Sequence, residues 1–219
     1  MNPDVFLFLP VLLFSVVLHE FAHGWVALRE GDNTALMLGR LTLNPIPHID
    51  LFGSIIFPLI LWLSQTGIVF GWAKPVPINP RNFRNYKRGD ILVSLAGITA
   101  NLLLAGVLTL FVILLVHLSR WVPALGPTLD VLRNMAGYGI IINLVLAFFN
   151  LIPIPPLDGS HVLYHMLPPR VGLRYRELGR YGMFILLALM IFARNLFQVL
   201  LWPVFVLQNL AEALIRLWT

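Results

Sequence analysis

The chain has 219 residues, enough for one or two soluble domains, but 58% are hydrophobic, 11% are charged, and the mean hydropathy is +0.84. A soluble domain carries roughly a quarter charged residues, so a water-soluble enzyme is excluded and an integral membrane protein is expected. The lack of cysteine excludes disulfides, thiolate metal sites and cysteine nucleophiles; the net charge of +5 sits in short loops, with no basic patch of interleaved aromatics to bind nucleic acid.

In chain order, Val5–Leu28 is the first run long enough to span a bilayer, which takes about 20 apolar residues. Met1–Val5 has no basic residue and no small-residue cleavage site follows the run, so it reads as a retained helix and not a signal peptide. Gly39–Asn44 alternates like a short strand and predicts a β-hairpin edge. Leu51–Leu63 is apolar but short, ending in Ser64, Gln65 and Thr66. Ile91–Leu118 spans with some tilt. Tyr138–Ile152 runs into the proline-rich turn Pro153–Pro156. Met183–Leu207 is broken by Arg194-Asn195 and by Pro203, leaving either one helix with Arg194 facing the bundle or a hairpin of two pieces. Gln208–Trp218 sets Leu210, Leu214, Ile215 and Leu217 against Glu212 and Arg216, the pattern of an interfacial helix. The expected fold is an all-α polytopic membrane protein with about four spanning helices. A re-entrant or shallow segment and a short β-hairpin near the site complete it. Residues 1–219 form one membrane domain with no separate soluble domain.

Lys and Arg counts orient the chain. Seven lie between Arg29 and Arg88 and four between Pro168 and Gly182, against Arg120 and Arg133 around Trp121–Ala136. The positive-inside rule puts the two rich stretches in the cytosol. Leu51–Thr66 then cannot cross once and stay across: it is re-entrant, lies shallow, or returns through Gly67–Pro80. Irregular backbone at that depth is tolerated only against protein or a wet cavity.

His19-Glu20-Phe21-Ala22-His23 fits H-E-x-x-H, the zinc metalloprotease helix pattern. Helical periodicity stacks His19 over His23 on one face, where both imidazoles reach one ion. Glu20 lies about 100° round the helix, beside the metal without being a ligand, where it can take a proton from water. Each ionisable residue at mid-membrane costs about 2.5–3.5 kcal/mol or more, so three together mark a site. Catalytic zinc usually takes three protein ligands. Asp158, after the fourth run, emerges on the same side as His19 and His23 if Leu51–Thr66 returns. His161, His165 and His48 are rivals for that position, or bind a second ion; His161 and His165 also read as interfacial residues facing water.

These residues resemble a known family. His19–His23 in a first helix, Ala96-Gly97-Ile98-Thr99-Ala100-Asn101 in a later one, and Asn150 with Leu157-Asp158-Gly159 are similar to the site-2 protease family of intramembrane zinc metalloproteases. Gly39–Pro45 and Gly71–Pro77 look like its small bacterial branch, without PDZ or CBS domains. The motifs span residues 19 to 159, about two-thirds of the chain, in family order. Ile98 stands where the family usually has proline. The resemblance implies one Zn2+ per chain held by His19, His23 and Asp158, with Glu20 as catalytic base. It also implies that Asn150, and Asn101 with it, binds the substrate backbone.

The expected activity is hydrolysis of peptide bonds in transmembrane protein substrates near the cytosolic face of a bacterial plasma membrane. The substrate helix must unwind first, because its own hydrogen bonds shield each peptide bond. The edge Gly39–Asn44 would then receive the freed backbone by strand addition. The alternative is a non-proteolytic metal-binding or metal-transporting membrane protein, which has no need of Glu20 beside His19.

Overall fold

A computed structural model describes residues 4–57, 60 and 73–219. α1 (Asp4–Glu30) ends where the sequence supplies Gly31. Gly31 adopts φ +114, its N–H bonds to Leu28 O, and Asp32 N–H bonds to Ala27 O. These paired bonds close the helix by satisfying its last carbonyls, and the left-handed residue they require is cheapest as glycine. The short α2 (Thr34–Met37) ends the same way at Gly39 (φ +64), with Gly39 N–H on Leu36 O and Arg40 N–H on Ala35 O.

That second cap overturns the strand expected over Gly39–Asn44. Gly39 and Arg40 are consumed in ending α2. Beyond them Asn44 N–H donates to Thr42 Oγ1, Ile46 N–H to Asn44 Oδ1, and His48 Nε2 bonds Thr42 O. Side-chain oxygens of Thr and Asn compete for backbone N–H groups and favour turns over ladders. There is no β-strand among the described residues, and the all-α class holds.

Asp50 accepts from Gly53 N–H and opens one wide π-helical turn, Leu51–Ile56. The remainder of the expected re-entrant segment lies largely outside the described residues. Described residues on either side of it do meet: Lys74 N–H donates to His48 O at 2.9 Å. The basic stretches Arg29–His48 and Lys74–Arg88 therefore share one end of the bundle, as a returning segment requires. Residues 73–79 run extended, with Pro75 and Pro77 offering no N–H.

Asp32 fastens this extended piece to the end of α1. Its buried carboxylate accepts from Thr34 N–H and Oγ1, from Asn79 N–H at 2.7 Å and from Asn82 Nδ2 at 2.8 Å. Burial alone would raise the Asp32 carboxyl, but these donors hold it below the ordinary value. Because the folded value is depressed, this stabilisation is present above the unfolded value of about 3.9 and is lost as pH falls through the folded one. Asp32→Ala is expected to cost about 3 kcal/mol, as several donors lose a charged acceptor. Thermal unfolding in detergent at pH 7 and below pH 4 measures it, and the gap between variant and wild type closes at the acid end.

α3 (Tyr86–Trp121) is capped by the Asn85 side chain on Arg88 N–H. Its 36 residues extend about 54 Å at 1.5 Å each, beyond the roughly 30 Å hydrocarbon core. The helix is continuous through Ile98. α4 (Gly126–Leu151) returns antiparallel, followed by α5 (Gly159–Met166) and α6 (Pro169–Glu177). α1, α3 and α4 are each long and apolar enough to cross a membrane, and they pack on one another through small residues such as Ala105, Ala136 and Ala147. Outward leucines, Leu103, Leu110 and Leu114 among them, are exposed, as a lipid-facing surface demands.

The expected fourth span, Met183–Leu207, is divided into α7 (Gly182–Phe192), α8 (Arg194–Leu200) and the start of α9 (Trp202–Trp218). Ala193 leaves helical geometry at φ −117, ψ 43. Pro203 has no N–H to continue the ladder of α8, so a new helix starts around it. α9 packs Val204 and Ala211 against Ala105, Val112, Ala136, Ile140 and Leu144, which gives the predicted interfacial piece Gln208–Trp218 a bundle-facing side.

Candidate active site

α1 carries His19 and His23 one turn apart, with their rings 4.5 Å apart and nearly perpendicular. Their Nε2 atoms lie 3.0 Å apart. The turn after α4 brings in Asp158, whose Oδ2 lies 3.3 Å from both Nε2 atoms. All three side chains are mostly enclosed. Gly159 lets the turn close, because a Cβ there would collide with Leu151 O.

His23 Nδ1 lies 2.7 Å from Val93 O. A carbonyl only accepts, so Nδ1 carries the proton and Nε2 keeps its lone pair for a metal. α3 approaches this closely because residue 97 is glycine: a Cβ there would lie 2.5 Å from His19 Cε1 and from His23 Nε2. The three donor atoms lie within 4.8 Å of one another, and Asp158 Oδ2 is buried with no hydrogen-bond partner among the described residues. Two neutral imidazoles and one carboxylate are the donors that a catalytic zinc takes, so the residues present fit that ion.

Glu20 stands beside the cluster. Its Oε2 accepts from Val76 N–H at 2.8 Å, the single N–H between Pro75 and Pro77. Arg40 holds this piece of chain through Lys74 O and Pro75 O. Asn150 lies in the last turn of α4 and spends its Nδ2 on Leu146 O. Asn101 is fully buried, and neither amide atom has a partner among the described residues.

The rival histidines go elsewhere. His161 and His165 both bond Asp90, His48 is buried against Thr42 O, and His117 bonds Ile113 O. Sequence reasoning missed the Val93 carbonyl, the Val76 N–H and Asp90. Only Asp90 left a trace, as a lone acid at the start of a long apolar run.

Residues 124–193 match the model of peptidase family M50. A Bacillus subtilis (strain 168) protein named as the zinc metalloprotease YwhC is 40% identical over 194 residues, 88% of this chain and 82% of that one. A Mycolicibacterium smegmatis protein named as the zinc metalloprotease Rip2 is 33% identical, over 87% of this chain and 70% of its own. The Rip2 of Mycobacterium tuberculosis H37Rv is 32% identical, over 81% and 63%. No solved structure matches the chain. Fold and site define a zinc metalloprotease set in a bundle of membrane helices. The chain belongs to peptidase family M50, the site-2 protease family.

Proposed function

We propose that the protein is an intramembrane endopeptidase that cuts transmembrane helices near the cytosolic face, with one Zn2+ per chain held by His19, His23 and Asp158. The observation that carries this reading is the depth of a hydrolytic cluster inside a spanning helix. At 1.5 Å per residue, His23 and His19 lie about 10 and 16 Å before the end of α1, within reach of a bond below the membrane surface.

When bound, zinc supplies Lewis-acid polarisation of a water and of the scissile carbonyl. Glu20 takes the proton from the attacking water and returns it to the leaving amine. The Val76 N–H fixes one carboxylate oxygen and leaves the other for that proton. The Val93 carbonyl keeps the His23 proton on Nδ1. Asn150, in the last turn of α4, donates to a substrate carbonyl once it exchanges its bond to Leu146 O. Asn101 is fully buried, with no partner for its amide among the described residues, and is the second candidate to bind the substrate backbone. The end of the bundle carrying Arg29–His48 and Lys74–Arg88 is the cytosolic one by its positive charge.

Co-reconstitution in liposomes with a model transmembrane peptide tests this. The chain has no cysteine, so the single substitution Arg84→Cys reports which side that end faces. Cleavage is expected inside the peptide's apolar stretch, near the side from which an impermeant thiol reagent labels the Arg84→Cys variant, and stops when a chelator strips the metal. Cleavage confined to soluble peptides, or at the opposite end, overturns the reading.

A further inference from the structure

Helical spacing puts Tyr86, Asp90, Val93, Gly97 and Asn101 on one stripe of α3, at steps of three and four residues. The middle of the stripe serves the metal cluster, Val93 through the His23 ring and Gly97 by letting both imidazoles approach. Its beginning holds α5. Asp90, 5% exposed, accepts from His165 Nε2 at 2.7 Å and from His161 Nδ1 at 3.2 Å. Tyr86 and Tyr164 pack edge-on against His165, and Arg176 bonds the Tyr86 hydroxyl and lies over the Tyr164 ring.

α5 has eight residues and no side-chain cap at Asp158. A helix that short has no stability of its own, so its place is set by what grips it. The residue just before it is Asp158, and His161 N–H bonds the Asp158 carbonyl. His19 and His23 are fixed by α1 and by the α3 stripe. Asp158 reaches them from another part of the chain, and its aim depends on where α5 is fastened.

We infer that Asp90, gripping His165 and His161, is a positioning residue that fixes Asp158 at the metal cluster by tying its helix to the stripe that orients His23. The inference rests on His19, His23 and Asp158 being the zinc site. It assigns His161 and His165 to supporting the third ligand and not to binding a second ion. Residues that orient metal ligands without touching the metal typically cost 10–100-fold in metal affinity when removed, and that is the effect expected here.

The test measures zinc affinity by chelator competition and the visible spectrum of the cobalt(II)-loaded protein, for wild type, Asp90→Ala, Asp90→Glu, His165→Gln and Asp158→Ala. Unfolding of each metal-free form controls for the fold. Asp90→Ala and His165→Gln should each weaken zinc about 10–100-fold and alter the cobalt spectrum. Asp90→Glu should recover part of both, and the double variant Asp90→Ala/His165→Gln should lose little more than either alone. If Asp90→Ala does not fold, His165→Gln gives the same readouts.

Unchanged zinc affinity and spectrum with lowered thermal stability would make the cluster a structural clamp and overturn the inference. A second zinc in the wild type, lost with Asp90 while the first remains, would make it a metal site and overturn it equally. If Asp158→Ala keeps wild-type zinc affinity, the ligand assignment fails and the inference with it; if only Asp158→Ala loses zinc, the ligand assignment stands and the role of Asp90 falls.

Discussion

Glu20→Gln is expected to stop proteolysis while leaving zinc bound. A positioned general base contributes about 10²–10⁴ in rate, and in the proposed mechanism Glu20 serves both proton transfers, so the loss belongs at the upper end. The amide keeps the length of the side chain, and its oxygen still accepts from Val76 N–H, so the extended piece Lys74–Asn79 stays where it is. Glu20 contributes no ligand to the His19–His23–Asp158 group, so zinc content should match the wild type. Cleavage of a reconstituted transmembrane peptide, beside zinc per chain on the same preparation, measures both. A variant that still cleaves would move the general base elsewhere. One that loses zinc and activity together would favour a metal-binding or transporting role, in which Glu20 is part of an ion path.

Asp158→Ala is expected to lose the zinc itself. His19 and His23 alone leave the ion one ligand short of the usual catalytic three, and removing a ligand should cost more than the 10–100-fold typical of its supporting residues. The two imidazoles would also face each other at 3.0 Å with no carboxylate between them. His117→Ala is the matched control, since His117 bonds its own helix at Ile113 O. Zinc retained in Asp158→Ala and lost in His161→Ala or His165→Ala would transfer the third position to one of those histidines.

The two variants probe parts of the site that were legible to different degrees. Glu20 and the histidines lie within one helical turn, where the 3.6-residue period fixes their relative directions whatever the rest of the chain does. Asp158 is 135 residues beyond His23, and no local rule connects them. Parity of the crossings placed it on the same side and the family resemblance named it as a ligand, while the residues themselves left His161, His165 and His48 as rivals for the third position. Asp90 separates them: a buried carboxylate needs partners, and it takes both His161 and His165.

The same contrast runs through the fold. The apolar runs located α1 and α3, because about 20 apolar residues with satisfied backbone have few other options in a bilayer; for α4 the run Tyr138–Ile152 gave only the second half, since the helix begins at Gly126, in the stretch read as a loop. Alternation over Gly39–Asn44 pointed to a strand, since it registers side chains and not the helix cap that Gly39 completes. Met183–Leu207, broken by Arg194-Asn195 and Pro203, left one helix or a hairpin of two pieces open, and the structure divides it at Ala193 and before Pro203.

From its sequence alone this protein is determined to be a helical membrane protein carrying an H-E-x-x-H turn with His19 and His23 on one face, because composition and helical period act over short distances. Which residue completes the metal site, how Val93 and Gly97 shape it, and why Asp90 sits buried beside two histidines were decided by tertiary packing. Those contacts join residues far apart in the chain, and only helices laid side by side bring them within bonding distance.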